Sequence, residues 1–140
     1  MSLYLDASVR VALFANDPFS VAARTLLRDQ EPLVLVSDFA AAEFSAVIAR
    51  RTRTGELTQQ EARTTLANFD RWISHAANRV ETASADISEA TTMLRRLDTT
   101  LRAPDAIHIA IAVRLAASLF TFDRKMALSA RMLGVFLVSV

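Results

Sequence analysis

The chain has 140 residues, no cysteine, a formal charge of +1 and a mean hydropathy of +0.26. This length fits a single domain that buries a substantial core, and the charge lacks the overall basic excess of many nucleic-acid-binding proteins. The absence of cysteine excludes disulfides and thiolate metal sites and fits a reducing compartment, so we expect a cytoplasmic protein.

Hydrophobic residues make up 52% of the chain, which is high for a soluble monomer. The excess predicts apolar surface that is covered by a second copy, as in a homodimer, or by a partner chain. No apolar run is long enough to cross a bilayer, because Arg114 interrupts the longest one, from Ile107 to Phe122. We therefore expect no membrane partner.

Short apolar runs rich in β-forming residues alternate with longer segments of helical period. In chain order, the pattern predicts a strand at Leu3–Leu5, helices at Ser8–Ala15 and Pro18–Asp29, a strand at Leu33–Val36, helices at Phe39–Arg53 and Thr58–Ala76, a strand at Arg79–Thr82, helices at Ala85–Asp98 and Pro104–Ala116, a strand at Ser118–Phe122, a helix at Arg124–Leu133 and a strand at Val135–Val138. Strands separated by helices pair in parallel through right-handed crossovers. We therefore expect one α/β domain over residues 1–140, with a central, mostly parallel five-stranded sheet and helices on both faces.

Local signals mark several of these boundaries. Thr58 and Glu61 have the spacing of a capping box that opens a long helix, and Gly55 suits the end of the helix before it. Pro104 fits the first turn of its helix, and Gly134 ends the last helix.

Four carboxylates lie at the edges of apolar elements, far apart in sequence: Asp6, Glu43, Asp105 and Asp123. Ligands of parallel sheets bind beyond the carboxyl ends of the strands, where Asp6 and Asp123 fall, and a helical step of 100° per residue places Glu43 on the inward face of its helix. Lone charges are rarely buried without partners, so we expect the fold to bring these acids together. Clustered carboxylates without matching bases favour hard divalent cations such as Mg²⁺ or Mn²⁺.

A purely structural role is the alternative for each acid. The three aspartates stand near predicted helix starts, where aspartate is a preferred capping residue. Glu43 has no capping role in the middle of a helix, and its alternative is a buried ion pair, for example with Arg50. All four structural explanations must hold together to remove the cluster, so we favour the cluster.

The chain resembles the PIN-domain ribonucleases, and more closely the VapC toxins of bacterial toxin–antitoxin pairs. The resemblance rests on LYLDASV around Asp6, SDFAAAEFSAVI around Glu43, LRAPDAIHIAIA around Asp105 and LFTFDRKMALSA around Asp123, and it covers essentially the whole chain. It implies a Mg²⁺- or Mn²⁺-dependent endoribonuclease that forms a homodimer and is inhibited by a cognate antitoxin in the active-site groove.

Three features refine the resemblance. Ser8 matches a small hydroxyl residue of the family two places after the first aspartate, where it would orient Asp6 or a water molecule, although a serine at a helix start is also common. Arg10 stands where the family usually has an aliphatic residue. No acid follows Asp123 before the end of the chain, whereas some relatives add one there.

The implied chemistry is phosphodiester hydrolysis. A cation bridged by the three aspartates would acidify a water molecule, and Glu43 would complete the coordination or orient that water. Arginine supplies nearly all the positive charge and binds phosphate in a forked geometry. The candidate RNA contacts are Arg50, Arg51, Arg53, Arg124 and Lys125, for which ordinary solvated surface is the alternative.

His108 shares a helix face with Asp105. It is either a general acid or, as we favour, a packed, hydrogen-bonded histidine.

Other functions remain open from the sequence. A catalytically silent PIN-like scaffold would retain the same acids. An aspartyl-phosphate phosphatase needs a second aspartate where Ser8 stands, and a receiver domain needs a lysine at the end of its own strand, so both fit poorly.

Overall fold

The computed structural model describes residues 1–15 and 17–138. The strands are β1 (Ser2–Leu5), β2 (Leu33–Ser37), β3 (Asn78–Val80), β4 (Ser118–Phe120) and β5 (Leu137–Val138). The helices are α1 (Ala7–Phe14), α2 (Ser20–Gln30), α3 (Asp38–Arg53), α4 (Gln59–Ala76), α5 (Ser84–Arg95), α6 (Ala103–Arg114) and α7 (Arg124–Met132). Every predicted strand and helix is present within a few residues of its predicted bounds.

The strands form one five-stranded sheet in the order β3-β2-β1-β4-β5. Each of the four pairings in this sheet is parallel, so the predicted α/β architecture with a mostly parallel sheet is confirmed. Leu3, Tyr4 and Leu5 of the central strand β1 are completely buried, as is typical of a sheet covered by helices on both faces.

Successive residues of β1 point into two different cores. Leu3 and Leu5 belong to a core formed with α1, α2, α3 and α4, in which Phe44 and Phe69 stack with ring centroids 4.3 Å apart. Tyr4 points to the other face, into a core formed with α5, α6 and α7. This alternation is the two-residue period of a strand, and it directs the hydroxyl of Tyr4 toward α6.

The predicted local signals are found at their positions. Thr58 and Glu61 exchange hydrogen bonds of 3.0 Å and 3.1 Å between side chain and backbone, which is the capping box at the start of α4. Gly55 and Gly134 have φ angles of +79° and +78°, so each terminates its helix in the left-handed region that glycine adopts without strain.

Three strands end earlier or begin later than predicted because side chains or helix ends take the backbone groups. Thr82 donates its backbone N–H and its hydroxyl to Asp38 instead of extending β3. β4 ends at Phe120, and the backbone N–H of Phe122 donates to the hydroxyl of Ser8, 2.9 Å away, instead of to a neighbouring strand. The backbone N–H of Val135 donates to the carbonyl of Ala130, so β5 starts two residues later.

The sheet therefore places Asp6, Ser37 and Thr121 at the carboxyl ends of β1, β2 and β4. The register pairs Leu5 with Phe120, which brings the residues that follow these two strands side by side. Among the described residues, no helix is long and apolar enough to cross a membrane.

Candidate active site

The fold brings the four predicted carboxylates together. Asp6, Glu43, Asp105 and Asp123 line a single cavity of about 450 Å³ beyond the carboxyl ends of β1 and β4. The other residues that line it are Ala7, Ser8, Ala46, Val47, Arg50, Arg53, Arg102, Pro104, His108 and Met126. Residues from α1, α3, α6 and α7 thus contribute to one site, as expected from the sequence.

Asp6 is the most deeply set of the four acids, with 4% of its surface exposed. Its Oδ1 accepts hydrogen bonds from the hydroxyl of Ser8, at 2.7 Å, and from the backbone N–H of Val9, while its Oδ2 accepts from the hydroxyl of Thr121. Ser8 also accepts from the backbone N–H of Phe122, which ties α1 to the end of β4. These contacts fix the Asp6 carboxylate in one orientation, so the predicted orienting contact between Ser8 and Asp6 is present.

Asp105 and Asp123 each combine a structural contact with a place in the cavity wall. Oδ2 of Asp105 accepts from the backbone N–H of Arg102 at the start of α6, and Oδ1 of Asp123 caps α7 through the backbone N–H groups of Lys125 and Met126. In the described part of the chain, these hydrogen bonds engage only one oxygen of each carboxylate. Helix capping and clustering are therefore compatible, because each aspartate has a second oxygen for the cavity.

Glu43 differs from the aspartates because it has two basic neighbours. Its Oε1 accepts from Nε2 of His108 and lies 3.5 Å from Nη2 of Arg10. Burial opposes the ionisation of Glu43, but the hydrogen bond from His108 and the positive charge of Arg10 outweigh it, so the pKa of Glu43 lies below its usual range. The ion pair between Glu43 and Arg50 that the sequence suggested is wrong. Glu43 of α3 pairs with Arg10 of α1 instead.

A chain of buried polar groups continues behind His108. The hydroxyl of Tyr4 lies 2.6 Å from Nδ1 of His108 and 2.7 Å from the hydroxyl of Ser37, which accepts from the backbone N–H of Ala40. Burial raises the pKa of Tyr4, which keeps its hydroxyl protonated. His108 is thus a packed, hydrogen-bonded histidine, as favoured from the sequence.

The donor chemistry of the cavity fits a hard divalent cation. Four carboxylates and the hydroxyl of Ser8 line the wall, and oxygen ligands are those that Mg²⁺ and Mn²⁺ prefer. Within residues 1–15 and 17–138, however, no three histidine, cysteine, aspartate or glutamate side chains stand in an arrangement that would already enclose a metal ion. The described carboxylates therefore do not form a closed set of metal ligands.

The predicted cationic residues divide between different surfaces. Arg50 and Arg53, at the end of α3, line the carboxylate cavity. Arg51 points elsewhere: its Nε lies 3.7 Å from Glu56, and it lines a separate cavity of about 480 Å³ with Phe14. The predicted contacts of Arg124 and Lys125 fall at the start of α7, next to Asp123 but outside the residues that line the cavity.

Several residues of the site escaped the sequence prediction. Arg102 lines the cavity beside Asp105, although it was not among the predicted site residues. Its position one helical turn before Asp105 is the sequence feature that could have indicated it. Thr121 was placed inside a strand, and Tyr4 and Ser37 belong to strongly apolar segments. No sequence pattern indicates that a strand tyrosine reaches a histidine 104 residues further on.

These features define a class: an α/β protein with a parallel sheet and a carboxylate-lined cavity at the carboxyl ends of its strands. The family model for the PIN domain matches residues 3–131. Ribonuclease VapC46 of Mycobacterium tuberculosis is 32% identical over 141 residues, which cover 99% of this chain and 97% of that protein. The chain therefore belongs to the PIN domain family and is of the VapC type.

Solved structures confirm the fold. The Mycobacterium tuberculosis toxin VapC20, described as cleaving the sarcin–ricin loop, has a TM-score of 0.76 at 20% identity, with 99% of each chain covered. A toxin–antitoxin complex from Klebsiella pneumoniae has a TM-score of 0.58 at 23% identity, with 91% of each chain covered. At these identities the likeness concerns the fold alone.

Proposed function

We propose that this chain is a Mg²⁺- or Mn²⁺-dependent endoribonuclease that acts as the toxin of a cytoplasmic toxin–antitoxin pair. The observation that carries the proposal is the single cavity in which four carboxylates from four helices or helix starts meet three arginines. The similarity to a curated ribonuclease along almost the whole chain supports RNA as the substrate. The same family membership argues against the phosphatase and receiver alternatives.

The residues divide the chemistry among them. Asp6, Asp105 and Asp123 would hold the cation, and Glu43 would complete its coordination or orient the attacking water. When bound, such a cation stabilises negative charge on a phosphodiester and lowers the pKa of a water molecule. Ser8 and Thr121 hold Asp6 in one orientation through its two oxygens, so this ligand is positioned before the substrate arrives.

The test that separates an active ribonuclease from a catalytically silent scaffold is cleavage of RNA by the purified protein. We expect shorter RNA fragments in the presence of Mn²⁺ or Mg²⁺ and none after a chelator has removed the cation. A single-stranded DNA of the same sequence serves as the substrate control. Intact RNA under all metal conditions would support the scaffold instead.

The arginines at the rim of the cavity are proposed to bind RNA phosphates. Arg50 and Arg53 are exposed, so Arg50→Glu or Arg53→Glu should leave the melting temperature unchanged. Each reversal should reduce cleavage about tenfold at low salt and flatten its dependence on salt, because a phosphate contact is lost. Arg71→Glu on the exposed face of α4 is the control and should change neither property. Unchanged cleavage and salt dependence in both rim variants would move the RNA path elsewhere.

We also propose a homodimer and an antitoxin partner. Large apolar side chains are exposed in the described part of the chain, including Leu97, Phe136 and Val21 at 89%, 81% and 76%. Such surface is typical of protein interfaces, and a partner arginine could pair with the acids of the cavity. Light scattering should give a mass near twice 15.4 kDa for the purified protein, and a stable monomer without a partner would contradict the dimer.

A further inference from the structure

Arg10 is an unusual residue for the interior of a protein. Arg10 lies on α1, and its side chain is completely buried in the protein. Burial of an arginine costs free energy unless a counter-charge and hydrogen bonds compensate it. One nitrogen, Nη1, donates to the backbone carbonyl of Leu5. Nε and Nη2 have no hydrogen-bond partner among the described residues, so the compensation for this charge must be mainly electrostatic.

The nearest compensating charge is that of Glu43, and the carboxylate of Asp6 adds a second negative charge in the neighbourhood of Arg10. Within the described chain, Oε1 of Glu43 is the only carboxylate oxygen within 4.0 Å of the Arg10 guanidinium, at 3.5 Å from Nη2. Arg10 approaches Glu43 from inside the fold, whereas the side chain of Glu43 is one-quarter exposed toward the cavity. The ion pair therefore links a buried residue of the core, Arg10, to a residue that lines the cavity, Glu43.

His108 holds the same oxygen from a second direction. A carboxylate only accepts hydrogen bonds, so Nε2 of His108 must donate to Oε1. Nδ1 of His108 lies 2.6 Å from the hydroxyl of Tyr4, which in turn lies 2.7 Å from the hydroxyl of Ser37. This buried chain of polar groups therefore ends on Oε1 of Glu43.

We propose that Arg10 and His108 are positioning residues that hold Oε1 of Glu43 inside the fold, so that Glu43 orients a water molecule through Oε2 and is not a ligand of the cation. The inference rests on the proposed function and chooses between the two roles left open there for Glu43. In the described chain no hydrogen bond reaches Oε2, and the three aspartates remain to bind the cation. Arg10 also offsets one of the four negative charges that would otherwise repel one another in the metal-free protein.

A double-mutant cycle in metal-free protein tests the pairing of Arg10 with Glu43. Glu43→Gln alone leaves a buried arginine without its nearest counter-charge and should lower the melting temperature by about 5–10 °C. In the background of Arg10→Met, which replaces the arginine by an apolar side chain of similar length, the same Glu43→Gln change should shift it by no more than about 1 °C. Equal shifts in both backgrounds would overturn the pairing.

Two controls keep this test decisive. Asp105→Asn removes another carboxylate of the cavity that does not contact Arg10, so its shift should be the same with Arg10 or with Met at that position. If Arg10→Met does not fold, Arg10→Gln replaces it, because glutamine also removes the charge, and Glu43→Gln should again cost no more than about 1 °C in that background. A full cost of Glu43→Gln in Arg10→Gln would overturn the pairing.

The role of Glu43 toward the cation is tested by comparing two carboxylate-to-amide changes. Glu43→Gln should retain most of the rise in melting temperature that Mn²⁺ produces in the wild type, whereas Asp105→Asn should lose it. An equal loss in both variants would make Glu43 a ligand and overturn the inference. Neither measurement uses RNA cleavage, so the positioning role and the ribonuclease proposal can fail independently.

Discussion

Asp105→Asn should reduce metal-dependent RNA cleavage by at least about 100-fold, because a metal-bound transition state loses several kcal/mol when a ligand is weakened. The asparagine keeps the shape of the side chain and can still accept from the backbone N–H of Arg102 through its carbonyl oxygen. The fold should therefore survive, which circular dichroism and the melting temperature will check.

Asp70→Asn is the matched control for this change. Asp70 is exposed on α4, away from the residues that line the carboxylate cavity, and its substitution should leave cleavage at the wild-type rate. If Asp105→Asn cleaves RNA as fast as the wild type, the reaction takes place at another centre or belongs to a contaminating nuclease.

Glu43→Gln should lower the rate constant of cleavage by about 100-fold with little change in KM, because a group that orients the attacking water acts mainly in the transition state. Single-turnover kinetics at several RNA concentrations will separate the two parameters. Glu89→Gln on the exposed face of α5 is the control for the same chemical change. A rise in KM at an unchanged rate constant would assign Glu43 to substrate binding.

The order and type of the elements could be predicted because each has a strong local signal. The apolar runs at β1 and β2, the capping box at Thr58 and the glycines at 55 and 134 all act over a few residues. Strand ends were less accurate, since the side chains of Asp38 and Ser8 accept from the backbone N–H groups of Thr82 and Phe122, which are distant in sequence.

The meeting of the four carboxylates in one cavity could be predicted, because a carboxylate at the edge of an apolar element is costly to bury unless it binds a partner or a ligand. Their orientation could not, since it depends on contacts between residues far apart in the chain. The sequence marks Arg10 as a departure from the family but gives no partner for it, and the pairing with Glu43 follows only when α1 and α3 pack together. The connection from Ser37 through Tyr4 to His108 has the same origin.

Thermal unfolding with increasing Mn²⁺ tests most directly whether the fold gathers these carboxylates to hold a cation. A ligand that binds only the folded state stabilises it by about 2.7 kcal/mol at one hundred times its dissociation constant, which corresponds to a rise of roughly 10 °C for a domain of this size. We predict this rise for the wild type and its loss in Asp6→Asn/Asp105→Asn, with Asp105→Asn alone as the reserve variant should the double variant be unstable. An equal rise in the wild type and in the variants would contradict the account, because the cation would then bind elsewhere.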